Sequence, residues 1–131
     1  MAKTGSLAMP ATILIAEDSA DTRAVLRHAL ASYGYQVIEA GNGREAVEAA
    51  LSECPDLVLM DLNMPVLDGL AATERIRELR ERCGNVPIVA ATAYDTYGMR
   101  EAAFEAGCNA YLLKPLDLDE LEAVIAGLLF G

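Results

Sequence analysis

"LVLMDLNMPVLDGLAA" runs from Leu57 to Ala72. Its first four residues are continuously apolar, an aspartate closes the run, and a proline-containing stretch leads through Asp68 and Gly69 into a helical pattern. A short apolar run of this kind is expected of a central strand in a parallel sheet buried on both faces. The same signal recurs upstream in "TILIA" (Thr12 to Ala16) and downstream in "IVAA" (Ile88 to Ala91). "QVIE" (Gln36 to Glu39) and "AYLL" (Ala110 to Leu113) are more polar or shorter, and they predict edge strands. Between the runs lie helical spacings: Val25, Ala29 and Tyr33; Val47, Ala50 and Leu51; Ala72, Ile76, Leu79 and Cys83; then Leu121, Val124, Ile125 and Leu128. Gly34, Gly84 and Gly107 stand where helices should stop, and Asn42 with Glu45 and Asp117 with Glu120 resemble capping boxes. Five βα units follow, which predicts an α/β doubly wound, five-stranded parallel sheet with helices on both faces.

Composition limits what such a sheet can do. A chain of 131 residues, 53% hydrophobic and 23% charged, makes one domain with a sizeable core. Its formal charge of -10 repels nucleic acid and anionic membranes, so a protein partner or a bound cation is the better expectation. Cys54, Cys83 and Cys108 are odd in number and far apart, which suggests neither a disulfide framework nor a zinc site. They read as buried or incidental thiols in a reducing cytoplasm. No signal-peptide stretch or membrane-spanning run develops, and a soluble cytoplasmic protein is expected. Residues 1–10 are small and unpatterned and read as a flexible tail, with the folded domain over 11–131.

In a doubly wound sheet, ligands bind outside the carboxyl ends of the strands. The residues there are Glu17 and Asp18 after the first run, Asp61 after the third, Thr92 after the fourth, and Lys114 with Pro115 after the fifth. Three carboxylates crowded at one rim repel unless a cation sits among them, and hard oxygen ligands suit Mg²⁺. Lys114 and Thr92 add a positive charge and a hydrogen-bond donor that fit phosphoryl oxygens. Asp61 beside them could accept that group as a nucleophile and become an acyl phosphate.

"LIAEDSADTRAVL", "LVLMDLNMPVLDGLAA", "IVAATAY" and "AYLLKPLD" together resemble, in order, the receiver domain of two-component response regulators, of the chemotaxis-receiver kind. The resemblance extends from about Ala11 to the C-terminus and implies a flavodoxin-like strand order of 2-1-3-4-5. By it, Asp61 is the phosphoacceptor, Asp18 a direct Mg²⁺ ligand, Glu17 a ligand through water, and the Asn63 backbone carbonyl a further ligand. Thr92 and Tyr111 become a switch pair, Lys114 partners the phosphoryl oxygens, and the Lys114–Pro115 bond is cis. A histidine kinase or phosphotransfer protein would supply the phosphoryl group. Output would run to a downstream protein through the fourth helix, fifth strand and fifth helix, with room for a phosphorylation-dependent dimer. The implied function is a phosphorylation-dependent switch rather than an enzyme. With no DNA-binding segment in these 131 residues, output is expected to be a contact with another protein or to belong to a larger chain. The sequence is compatible both with a stand-alone regulator and with a receiver from a larger protein.

Competing readings are weaker. Gly41, Gly43 and Ala46 spell G-x-G-x-x-A, with Asp61 twenty positions after the first glycine, the outline of a dinucleotide site. Asp61 already belongs to the acidic rim, and the glycines read as a tight turn in which Asn42 caps the next helix. A haloacid-dehalogenase-like phosphatase would also use Asp61 as nucleophile. It needs a second acid two residues on, and Asn63 cannot carry a proton in that role. His28 reads as a surface residue, Met60 and Met64 as packing, and Glu74 to Arg82 as a solvated helix face. Tyr94, two residues after Thr92, is expected to shield the phosphoryl group and slow its hydrolysis.

Overall fold

Each of the five apolar runs is a strand of a single parallel sheet in a computed structural model, which describes residues 10–79, 81–93 and 96–131. The strands are β1 (Thr12–Ala16), β2 (Gln36–Ala40), β3 (Leu57–Asp61), β4 (Ile88–Thr92) and β5 (Ala110–Leu113), and their order is β2-β1-β3-β4-β5. All residues of β3 and β4 are buried, whereas β2 and β5 are mixed, as edge positions should be. The helices are α1 (Ala20–Ser32), α2 (Gly43–Glu53), α3 (Gly69–Arg77), α4 (Glu81–Gly84), α5 (Met99–Ala106) and α6 (Leu118–Phe130). The expected tail falls outside the described residues up to position 9, and so does Tyr94.

Side-chain alternation along the strands divides the core into two layers. Leu14, Ala16, Val58, Met60, Ile88 and Ala90 pack on the face covered by α2, α3 and α5. Ile13, Ile15, Leu57, Leu59, Val89 and Ala91 pack on the other, against Leu26 and Leu30 of α1 and Leu121 and Ile125 of α6. Caps hold the helix starts: Ser19, Asn42, Asp68 and Asp117 each accept a backbone N–H of the first turn. Gly34 and Gly107 end their helices at positive φ, as the punctuation predicts.

Three expectations need correction. In α1 the buried pair is Leu26 and Leu30, while Val25 is 60% and Tyr33 44% exposed. Two four-residue registers one position apart compete there, and the register with two leucines buries more apolar surface. In α2, Ala46 and Ala50 face inward and Leu51 faces out.

The run from Ala72 to Cys83 is not one helix. It ends at Arg77 and resumes as the single turn α4. Arg77 stands at the break. Its guanidinium turns inward and donates to the carbonyls of Gly107 (3.0 and 2.6 Å), Gly84 (2.9 Å) and Val86 (2.7 Å) and to Asn109 Oδ1 (2.9 Å). These oxygens hold the half-buried cation inward, so Arg77 leaves the solvated face on which Glu74, Arg75, Glu78 and Arg82 stay exposed.

The third correction concerns cysteine. Cys54 and Cys83 form a disulfide with Cα atoms 5.1 Å apart, and only Cys108 is free and buried. Their 29-residue separation matches no local motif. The pairing is made by topology, because the C-cap of α2 and the α4 turn both lie at the amino end of the sheet. Among the described residues, no helix is long and apolar enough to cross a membrane.

Tyr35 closes the α1–β2 junction and its hydroxyl donates to Glu122 Oε2 on α6 (3.2 Å). Burial, then the Glu122 charge and hydrogen bond, push its phenol up to about 12. An acid whose folded pKa is raised stabilises the fold while protonated, and that contribution drains away as pH rises from its unfolded value near 10 through 12. We therefore expect Tyr35→Phe to flatten the loss of unfolding free energy across that window, as read by urea denaturation at successive pH values.

Candidate functional site

The carboxyl ends of β1, β3, β4 and β5 are brought level by register, with Ala16 opposite Met60, Asp61 opposite Ala91 and Thr92 opposite Leu113. The ladder continues past the strands through Glu17 N–H to Ala40 O (3.0 Å), Leu62 N–H to Ala91 O (3.0 Å) and Lys114 N–H to Thr92 O (2.8 Å). Backbone bonds thus fix the residues immediately beyond the sheet. Carboxylate oxygens of Glu17, Asp18 and Asp61 lie within 4.8 Å of one another. Glu17 and Asp61 are only 4% exposed, while Asp18 stands in solvent at the mouth.

Lys114 reaches into this group. Its Nζ lies 2.7 Å from Glu17 Oε1 and 3.3 Å from Asp61 Oδ2. The peptide bond to Pro115 is cis, as the resemblance implies. The other carboxylate oxygens are held by main chain: Ser19 N–H donates to Glu17 Oε2 (3.1 Å), and Asn63 N–H to Asp61 Oδ1 (3.0 Å). Burial opposes the Glu17 charge, but the Lys114 and Ser19 hydrogen bonds outweigh it and hold that carboxyl below its ordinary value. Asp61 goes the other way. Burial first, then the Glu17 charge, raise it despite the Asn63 N–H and Lys114. Burial works against the Lys114 charge, yet the two acids raise it and keep the ammonium charged.

One ammonium among three carboxylates leaves the rim electronegative. The donors are all hard oxygens, one of them solvent-facing, and Asp61 carries unrelieved repulsion from Glu17. This donor set fits a small divalent cation with water in its open positions. Thr92 is buried at the end of β4, beside this group. Tyr111 lies two residues before the end of β5, half-buried, with the Arg100 guanidinium 5.8 Å from its ring centre. Asn63 is exposed just past Asp61. The structure brings Glu17, Asp18, Asp61 and Lys114 together directly, and it sets Thr92 and Tyr111 on the adjoining strands.

Sequence reasoning missed why the loop after Asp61 is shaped as it is. A Cβ on Gly69 would stand 2.3 Å from Asp61 O, and one on Gly43 would stand 1.8 Å from Leu67 O. The α3 start therefore rests on the main chain of Asp61, and the α2 start rests on the loop. Gly43, the second glycine of the dinucleotide-like turn, is needed for this approach and not for a pyrophosphate. The available signal was a glycine directly after each helix cap, Asn42–Gly43 and Asp68–Gly69. At the loop tip, Leu67 N–H donates to Pro65 O (2.8 Å) across Val66, whose φ is 72°. This is a γ-turn centred on a β-branched residue, a strained conformation.

The response regulator receiver domain family matches residues 13–126, and the chain belongs to that family. Its relatives include the response regulator MprA of Mycolicibacterium vanbaalenii, 42% identical over 92% of this chain and 51% of the relative. The chain thus spans about half the length of that protein. Among solved structures, it is similar to the receiver domain of the sensor histidine kinase PA1611 from Pseudomonas aeruginosa, which has a magnesium ion coordinated in its active-site cleft. That likeness has a TM-score of 0.86 at 37% identity, over 94% of this chain and all of the other. A third likeness is to the receiver domain of the Saccharomyces cerevisiae response regulator Ssk1, solved with the histidine phosphotransfer protein Ypd1. There the TM-score is 0.84 at 32% identity, over 92% and 89% of the two chains. The family is one of two-component signalling modules rather than of phosphatases.

Two substitutions in the loop after Asp61 should act with opposite sign. Gly69→Ala drives a methyl into backbone and should destabilise the fold by about 2–3 kcal/mol. Val66→Gly releases the positive-φ strain on an exposed side chain and should stabilise by about 1 kcal/mol, after the entropy it adds to the unfolded chain. Denaturant midpoints of the two variants check both.

Proposed function

We propose that this domain is a phosphorylation-dependent switch whose phosphoacceptor is Asp61. The observation that supports it most is the buried Asp61 carboxylate, with Lys114 Nζ at 3.3 Å and the oxygens of Glu17 and Asp18 within 4.8 Å, at the carboxyl edge of a receiver fold. Asp18 and Asp61 would hold Mg²⁺ directly, with Glu17 acting through water and Asn63 through its backbone carbonyl. Bound there, Mg²⁺ supplies positive charge against the phosphoryl oxygens during in-line transfer.

The chain's own residues do the rest. A carboxylate oxygen of Asp61 attacks phosphorus, an O–P bond forms, and the donor's N–P bond breaks, leaving the electron pair on an imidazole nitrogen that then takes a proton. Lys114 gives up part of its hold on Asp61 and donates to the new phosphoryl oxygens. The Thr92 hydroxyl donates to the same group, and the Tyr111 ring moves inward from its place beside Arg100. The population thereby shifts toward an active form.

A histidine kinase or a phosphotransfer protein is the donor class, as the complex of Ypd1 with the Ssk1 receiver supports by analogy. Output goes to a protein partner through α5, β5 and α6, which correspond to the fourth helix, fifth strand and fifth helix of the sequence reading once the α4 turn is counted. Exposed Phe104, Leu113 and Leu118 on these elements give that face apolar contact surface, and a phosphorylation-dependent dimer would use the same face. Burial of Asp61 favours retention of the phosphoryl group, and the shielding expected of Tyr94 rests on its sequence position two residues after Thr92 alone.

Intact mass after incubation with acetyl phosphate tests the assignment. A single Mg²⁺-dependent phosphoryl adduct is expected on the wild type and none on Asp61→Asn. An adduct that persists in Asp61→Asn, or no adduct in any condition, would remove Asp61 from its central role.

A further inference from the structure

We propose that Arg23 is a positioning residue for the cation site, holding the turn of Glu17 and Asp18 in the shape that brings both carboxylates to the rim. The inference rests on the reading of that rim as a Mg²⁺ site. Arg23 lies in the second turn of α1, and its guanidinium is engaged with main-chain oxygens rather than with the carboxylates of the cluster. Nη1 donates to Glu17 O (2.7 Å) and, more weakly, to Asp18 O (3.4 Å), while its backbone N–H donates to Ser19 O (2.9 Å). The backbone bond is the ordinary first turn of α1, and the side chain adds two consecutive carbonyls of the turn that carries two acids.

The guanidinium is itself held from the far side. Nε pairs with Glu39 Oε1 (3.1 Å) on β2, and Arg27, one turn further along α1, pairs with the other Glu39 oxygen. Glu39 stands opposite Ile15 in the sheet register, so the lashing runs from strand to strand beneath the turn. The side chain of Arg23 is 22% exposed, a sheltered setting in which a planar fork keeps its geometry better than a flexible ammonium would.

Between β1 and the Ser19 cap the chain has no regular structure; Glu17 N–H on Ala40 O (3.0 Å) and Ser19 N–H on Glu17 Oε2 (3.1 Å) hold the turn at its two ends, and Arg23 Nη1 holds the Glu17 carbonyl between them. Without Arg23 the peptide plane between Glu17 and Asp18 can rotate, and the two side chains lose their common aim. Outer partners of this kind commonly set metal affinity through the ligands they orient.

Electrostatics makes the test decisive, because charge and position pull in opposite directions. Removing a cation near a cation site should tighten Mg²⁺ binding if Arg23 contributes charge alone. Removing the clamp should loosen it if Arg23 positions the turn. Mg²⁺ titration by calorimetry on the wild type, Arg23→Met and Arg23→Lys, with melting temperatures taken in chelator, separates the two. We expect roughly ten-fold weaker binding in Arg23→Met, incomplete rescue in Arg23→Lys, and metal-free melting close to wild type. Glu39→Gln, which keeps the Glu17 bond but frees the far side, should fall between. Unchanged or tighter binding in Arg23→Met, full affinity in Arg23→Lys, or a loss that merely follows a collapse of metal-free melting would each overturn the assignment. A wild type that binds no Mg²⁺ would instead overturn the reading of the rim on which it rests.

Discussion

Two buried carboxylates compete for one ammonium at the end of this sheet. Lys114 lies closer to Glu17 than to Asp61, at 2.7 against 3.3 Å, and the consequence appears in the titration of the two acids. Glu17 is held charged, whereas burial and the Glu17 charge raise Asp61. The rim therefore holds an electrostatic tension that a divalent cation and a phosphoryl group would together resolve. The ordered sheet end, the glycine contacts behind Asp61 and the clamp on the Glu17 turn all serve to keep like charges close. Without such support the acids would separate into solvent, where repulsion is screened.

The surrounding structure transmits to that point from two sides. Gly69 seats α3 on the Asp61 main chain, and Gly43 seats α2 on the loop that follows it. Thr92 and Tyr111 lie on the neighbouring strands β4 and β5, on the way to the face proposed for output. Movement at Asp61 is thus adjacent both to a strained turn at Val66 and to the β4–β5 edge. A strained turn and a half-buried ring offer alternative packings at small free-energy cost, which is the property a two-state element requires.

Strand positions were legible in the sequence because parallel strands buried on both faces leave uninterrupted apolar runs, and β1 and β5 coincide with "TILIA" and "AYLL". The acids and Lys114 could be placed at one rim for the same reason: each directly follows a run. Helix faces were less legible. Val25 and Leu26 start two equally spaced registers in α1, and only the packing against the sheet selects between them. The break after Arg77 was hidden because the carbonyls that take its side chain inward, of Gly84, Val86 and Gly107, all lie beyond the helix in the sequence. The Cys54–Cys83 pair and the Arg23 clamp share that character. Both depend on which elements the topology makes neighbours, and no local spacing records it.

The central claim is that chemistry at Asp61 is coupled to Thr92 and Tyr111. Backbone amide spectra of the protein with Mg²⁺, recorded before and after adding beryllofluoride as a phosphoryl mimic, test it most directly. The account predicts saturable shifts at Asn63, Thr92 and Tyr111 that extend along β5 and are abolished in Asp61→Asn. Shifts confined to the loop after Asp61, or shifts that survive Asp61→Asn, would contradict it.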